Sequence, residues 1–482
     1  MLKRVPMSIN QDQASWRLCR YRSTRSARVL VLATLAFAAS SVHIAAQLNS
    51  TSGVSQFVGT RSCAATGCHG SSTHTVQPWR RSFHVWWQDD PHAAAYRVLF
   101  DPAAVAMVGR LNAEAVKRDD AYRKYLQQNC NACHATPQPA QPLVSDPVWG
   151  VSCESCHGAA GNWLVEHTQP EWLTLSSDRK RELGFRETRP LLSRAATCAS
   201  CHVGEIDATE TASATRRVVT HDLIAAGHPP LRFEFAAYYA SLPNHWAPQA
   251  DESRAEHWLA GQRTTLNAHL ELLEQRVDES QRAREDQRDG EYRHVWPEFA
   301  EYSCYSCHHR LAHRSHRRER GNSAGSYDWG SWSLAMSRLA GTDRPELNQL
   351  RAAMTAPWPA ANRVLSPLSR LLPSDRSAME VPRIQVTRKT LQGFFQPSGE
   401  PDRWDWDRSV QWLLGFEAFY DTYAVEHGSD REILGVCRRL RNSVLSFPAG
   451  FLGPRDYESD PDTWRKFQDG RDELQRLVEQ LE

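Results

Sequence analysis

Five pairs of cysteines in this chain are each followed at once by a histidine: Cys63 and Cys68 before His69, Cys130 and Cys133 before His134, Cys153 and Cys156 before His157, Cys198 and Cys201 before His202, Cys304 and Cys307 before His308. The last four have the spacing C-x-x-C-H. Two thiols so spaced can add to the two vinyl groups of one haem, and the adjacent imidazole then reaches the iron. Histidine makes up 20 of 482 residues, about one in 24, so its presence after all five pairs has chance odds on the order of one in ten million. Zinc sites also use paired cysteines, but they add a second pair or a spaced His pair, not a His directly after every pair. Disulfides in an exported chain would leave the five histidines unexplained. The reading is five covalently bound haem c groups, with the ten cysteines as attachment residues and His69, His134, His157, His202 and His308 as proximal iron ligands. Of the remaining cysteines, Cys19 lies in the leader and Cys437 stands alone.

The first motif, "CAATGCH", has two extra residues between its cysteines. Such a spacer is known in multihaem cytochromes, where the longer loop bulges while both thioethers and the His keep their places. Ala64, Ala65 and Gly67 are small enough to permit the bulge. A disulfide between Cys63 and Cys68 is the alternative.

Each iron has a second face. Methionine is scarce, with only Met107 in the motif region, while histidine is plentiful. The candidate distal ligands are His84 in "PWRRSFHVWW", His92 in "DPHAAAY", His167 in "NWLVEHT", and His221 and His228 in "THDLIAAGHPPLRFE". Further options are His74, His245, His257, His269, His294, His309, His313 and His316. Any one of them could be an ordinary surface or buried histidine. His309 directly follows a proximal ligand and cannot reach that iron's far face.

The segment "GVSCESCHGAAGNWLVEHT" resembles the multihaem cytochromes of the cytochrome c-554 family. There a site ending "CESCHG" is followed about ten residues later by a distal His, which matches His167. "PWRRSFHVWW" is similar to that family's W-x-x-[ST]-x-H segment, and "AGHPPLRFEF" to its distal-His segment ending Phe-Glu. These likenesses imply His84 and His228 as distal ligands. They also imply a periplasmic electron carrier; some relatives reduce or oxidise small nitrogen compounds. The resemblance covers roughly residues 60–310. The chain departs from it in having five sites where the type member has four, a longer first spacer, and a last 150 or so residues with no counterpart. The identity of the redox partner does not carry over.

The elements must position five sites within about 50 residues each. That is too little chain for five independent domains, so the haems must share walls and supply much of the core. The expected fold is mainly α with extensive irregular loops: short helices at each attachment site and long connections such as Thr136–Gly150. In "DPHAAAYRVLF", Asp90 suits an N-cap and Pro91 the first helical position. Residues 251–286 read as one long polar helix with Leu259, Leu266, Leu270, Leu273 and Val277 on one stripe. Residues 410–428 place Leu413, Leu414, Phe416, Phe419, Tyr420 and Tyr423 at helical spacing, and residues 461–482 form another amphipathic helix. The division expected is 1–46 a secretory signal peptide, 47–312 the pentahaem domain, 313–331 a linker, and 332–482 a haem-free helical C-terminal region that covers the haem core.

The leader reading rests on Arg17, Arg20, Arg22, Arg25 and Arg28 before "VLVLATLAFAA" and small residues. Cleavage is expected after Ala46; the alternative is an uncleaved anchor and with it membrane association. Taking the leader's seven basic and one acidic residue from totals of 57 and 56 leaves 50 and 55, a net charge of −5. Nothing in that balance points to nucleic acid, and no Walker, Rossmann or triad motif is present. The expectation is a periplasmic carrier working between redox partner proteins. The alternative is an oxidoreductase acting on nitrite, nitric oxide or hydroxylamine at one five-coordinate haem.

Overall fold

The computed structural model describes residues 55–73, 77–137, 148–207, 215–246, 252–285, 296–308, 327–356, 359–372, 381–396, 404–445 and 461–481. All of them lie in one compact unit, Val54–Glu482. The leader, residues 313–326 of the expected linker, His74, His294, His309, His313 and His316 fall outside the described residues. The fold is mainly α with irregular connections.

The N-terminal half is built of short helices: α1 Ser82–Asp89, α2 Pro102–Leu111, α3 Asp119–Asn129, α4 Asn131–His134, α5 Cys153–His157, α6 Ser177–Glu182, α7 Leu191–His202, α8 His221–Ala226 and α9 Phe235–Ser241. A two-stranded antiparallel hairpin, β1 Glu205–Asp207 with β2 Thr215–Arg217, pairs Ile206 with Arg216. The turn expected at "DPHAAAY" is a 3-10 helix, Pro91–Ala94, capped by the Asp90 side chain, which accepts from the His92 backbone N–H.

The long helix expected over 251–286 is α10, Arg254–Glu285. Its start is a capping box: the Ser253 hydroxyl accepts from Glu256 N (3.2 Å) and the Glu256 carboxylate from Ser253 N (2.9 Å). Losing the hydroxyl in Ser253→Ala would cost about 1 kcal/mol. The expected stripe is buried, with Leu259, Leu266, Leu270, Leu273 and Val277 all inside. It divides between two cores. Trp258 and Leu259 pack with the C-terminal residues Leu413, Phe416 and Phe419, while Leu266 to Val277 pack with Trp329, Leu334, Leu347 and Val364.

The C-terminal region adds α11 Pro345–Thr355, α12 Ala361–Leu371, α13 Arg388–Gln392, α14 Trp406–His427, α15 Arg431–Leu445 and α16 Pro461–Glu479. Helix α14 is the helix expected over 410–428. Asp405 caps its start, accepting from Arg408 N at 2.8 Å, and Gly428 follows its end at φ 85°. Most of its residues from Trp406 to Tyr423 are buried, because α10, α13, α15 and α16 surround it. Among the described residues, no helix is long and apolar enough to cross a membrane.

Candidate metal centres

A C-x-x-C-H run wound into one helical turn puts its three functional side chains on one side, since residues three and four apart share a helix face. Local structure follows that requirement. The second motif spans the start of α4, the third is α5, the fourth ends α7, and the fifth is a 3-10 turn over Cys304–Ser306. In the first, a 3-10 turn ends at Cys63 and the chain then loops back, with both Cys68 N and Gly70 N bonding to the Ala65 carbonyl. Gly67 touches nothing, whereas a Cβ on Gly70 would run into the Ala64 carbonyl. The glycine that this loop needs is therefore Gly70, just after His69, and not Gly67 inside the spacer.

None of the ten motif cysteines is held in a disulfide, Cys63 and Cys68 included. Their surroundings differ. Cys63 is buried, six others are half-buried, and Cys68, Cys156 and Cys307 are exposed. These three are each the second cysteine of a motif. Cys307 follows the end of the 3-10 turn; its N–H reaches the Cys304 carbonyl at 3.3 Å and the His308 N–H reaches the same carbonyl at 2.8 Å, closing one turn around the motif. Arg232 donates to the Cys304 sulfur at 3.6 Å.

Four of the five motif histidines each face one isolated histidine. His69 lies 6.3 Å from His167 between ring centroids, His134 6.4 Å from His228, His202 6.1 Å from His92, and His308 6.1 Å from His221. Two metal–nitrogen bonds of about 2.0 Å, plus the distance from each nitrogen to its ring centre, require about 6 Å between imidazoles that share one metal. The rings in the first and last pairs are near parallel (13° and 20°) and in the other two steeply inclined (76° and 86°).

The nitrogen each ring offers is also set. Nδ1 of His69 donates to the Trp79 carbonyl (2.8 Å), of His134 to Ala95 (2.9 Å), of His167 to Trp163 (3.2 Å) and of His228 to Pro229 (2.8 Å). His92 Nδ1 bonds the Asp90 carboxylate at 2.8 Å. With Nδ1 so engaged, Nε2 keeps its lone pair for a metal, the usual arrangement of ligating histidines. Burial, and then the neighbouring His92 and His134, push the His202 pKa down to about 4, so the ring stays neutral. The donor set thus fits haem: two thiols and an imidazole per motif, and a second imidazole across the gap in four cases. Among the described residues, no three His, Cys, Asp or Glu converge as a protein-only metal site requires.

Among the described residues, His157 has no histidine ring stacked beside it. Its stacked neighbour is Phe185, at 6.1 Å and 11°. Burial and the charges of His245 and His69 push its pKa down to about 4. The fifth candidate, His84, is not part of a ring pair with a motif histidine. Its Nε2 bonds the Gly70 carbonyl at 3.1 Å.

The motifs also contact one another. The Cys63 and Cys153 thiols act on each other, bringing the first motif to the third, and Cys133 and Cys201 bring the second to the fourth. Cys198 lies within the electrostatic reach of Cys156, bringing the third and fourth together. His221 opens α8 and His228 follows its Gly227 cap, so one short helix links the fifth centre to the second.

Several framing residues were not singled out from the sequence. The buried Glu154 carboxylate accepts from the backbone N–H groups of Val58 (2.9 Å), Gly59 (2.8 Å) and Ala160 (2.9 Å). Thr60, Thr136, Ser152 and Ser155 form one hydroxyl network tying the first three motifs together. Their one visible signal is position, since each lies within three residues of a motif cysteine or histidine. Arg232, which holds Cys304, also donates to Asp407 of α14 (2.6 Å) and so anchors the C-terminal region to the fifth motif.

Residues 62–158, which enclose the first three motifs, match the family described as cytochrome c554 and c-prime. No curated protein and no solved structure matches the chain.

Proposed function

We infer that the chain, a member of the cytochrome c554 family over its first three attachment sites, is a c-type cytochrome that carries electrons through five haem c groups, mostly held between two histidines. The observation that carries this reading is the set of four imidazole pairs at 6.1–6.4 Å, each joining a motif histidine to one from elsewhere. When bound, each haem supplies a one-electron couple, and ligation by two histidines rather than Met keeps it low in potential.

The chain's own residues do the rest. Nδ1 bonds hold five of the eight paired rings, leaving Nε2 for the metal. Trp163 and Trp172, and likewise Phe233 and Tyr238, pack against the imidazoles and limit water. The motifs contact one another in the order first, third, fourth, second, fifth, and that is the order of transfer we assign. Export to the periplasm through the 1–46 leader, with redox proteins as partners, belongs to the same reading. Exposed cysteines mark both ends of this order, Cys68 at the first site and Cys307 at the fifth, and these ends are the natural faces for exchange with such partners. A pyridine haemochrome assay with intact mass on purified protein tests the reading. Five haems per chain support it, while four with Cys63 and Cys68 disulfide-bonded would overturn the reading of the first motif.

A second reading, an oxidoreductase for a small nitrogen compound, has one observation behind it: the ring stacked on His157 is Phe185, not a histidine.

A further inference from the structure

Among the described residues, the histidines outside the four pairs are His84, His157, His245, His257, His269 and His427. His257 Nε2 is 3.0 Å from the Glu252 carboxylate. His269 stacks on Trp329 beside Glu301, and His427 stacks on Tyr423 at 4.1 Å. Each of these three has a local role away from the third motif. In the five paired rings described above with a hydrogen bond at Nδ1, Nε2 is left for a metal; His84 is the reverse, its Nε2 being the nitrogen held by Gly70.

His245 differs from all of these. It follows α9 in the segment 242–246 and its ring meets Trp246 edge-on at 4.7 Å, while Trp246 is stacked on Tyr239. Its Nδ1 is buried and completes no well-formed hydrogen bond, although the Pro243 carbonyl acts on the ring. A buried imidazole nitrogen so poorly engaged calls for a partner that the described residues do not supply. The same ring is the foremost charged neighbour of His157, ahead of His69 and Arg186, and His69 and Asp90 act on it in turn. His245 therefore lies where the first and third motifs meet, beside the one motif histidine that lacks a ring partner among the described residues.

We propose that His245 supplies the second imidazole donor of the third attachment site, alongside His157. The proposal rests on the five-haem reading above and completes it, because it closes the face on which the oxidoreductase reading depends.

The test compares wild-type holoprotein with His245→Ala, His245→Met and His84→Ala, each scored for haem content, for high-spin iron by EPR, and for carbon monoxide bound by the reduced protein. Wild type and His84→Ala should show no high-spin haem. His245→Ala should keep all its haems, gain one high-spin iron and bind one carbon monoxide per chain. His245→Met should instead show the sulfur-to-iron charge-transfer band of a His–Met haem, a signature that a merely structural residue 245 would not give. Absence of that band, an unchanged His245→Ala, or high-spin iron in His84→Ala or wild type would overturn the assignment. A haem content below five in wild type would instead strike the reading underneath, so the two failures are distinguishable.

Discussion

His69 and His167 lie face to face, ring centroids 6.3 Å apart and planes 13° from parallel. Each is held by its own backbone carbonyl, His69 by Trp79 and His167 by Trp163. A motif histidine and one from a separate turn are thus preset, nitrogen by nitrogen, to share one metal. His167→Ala should convert one haem to high spin and raise its potential, with the other haems unchanged. EPR and a redox titration of the holoprotein check this. A spectrum identical to wild type would remove His167 from the ligand set. His427→Ala, whose ring stacks on Tyr423 away from the motifs, is the matched control.

The long first spacer makes a sharper prediction, because Gly67 within it and Gly70 just after its histidine behave differently. Gly67→Ala adds a methyl in open space and should leave haem attachment intact. Gly70→Ala drives a Cβ into the Ala64 carbonyl, so the loop between Cys63 and Cys68 must open. Intact mass should show one haem missing from a large share of the Gly70→Ala chains. Full occupancy in that variant would contradict the geometry given for "CAATGCH".

That contrast also marks how far sequence reasoning reached. The Cys-Cys-His sets were visible because their chemistry is local, three or four residues wide. Which second cysteines are exposed was not, because Cys156 in α5 is exposed while Cys133 in α4 and Cys201 in α7 are half-buried, a difference that the motif itself does not carry. The stripe from Leu259 to Val277 and the apolar run of α14 were visible because a helical period repeats over several turns. Which histidine faces which was not visible, since His134 with His228 or His308 with His221 is a long-range pairing set by how α8 packs. Glu154 escaped notice because inside "CESCH" it reads as a solvent-facing charge; only the approach of Val58 and Gly59 from the N-terminal segment makes it a buried acceptor. Gly70 escaped for the same reason, since the atom it must avoid belongs to a loop that doubles back.

Glu154→Gln tests that buried acceptor. The carboxylate takes three backbone N–H bonds. An amide has one acceptor oxygen, and its NH2 would face an N–H donor. Leaving a buried donor unmet costs about 1–3 kcal/mol, so thermal unfolding of the holoprotein should occur measurably earlier, with haem content unchanged. Protease should also cut the segment around 55–59 faster. Equal stability would show that Glu154 does not tie the first motif to the third.

Acid sensitivity should come from histidines that bind no metal. Burial pushes the pKa of both His257 and His269 below the usual 6.5. In that direction the unfolded chain takes up protons before the folded one, so stability is fully present above the ordinary value and is lost as pH falls below it. Melting temperature should drop between about pH 7 and pH 5. His269→Gln should flatten part of that slope while leaving haem spectra untouched. A melting temperature that rises or holds steady over this range would refute the assignment of these two buried rings.

The central claim is that this chain holds its irons closed between paired histidines and so passes electrons rather than binding substrate. The most direct measurement is the spin state of the fully loaded wild-type protein by EPR, read together with carbon monoxide uptake after reduction. The account predicts five low-spin haems per chain and no stoichiometric carbon monoxide binding. One high-spin iron with rapid uptake of one carbon monoxide per chain would contradict it and make small-molecule redox chemistry at the His157 centre the better account.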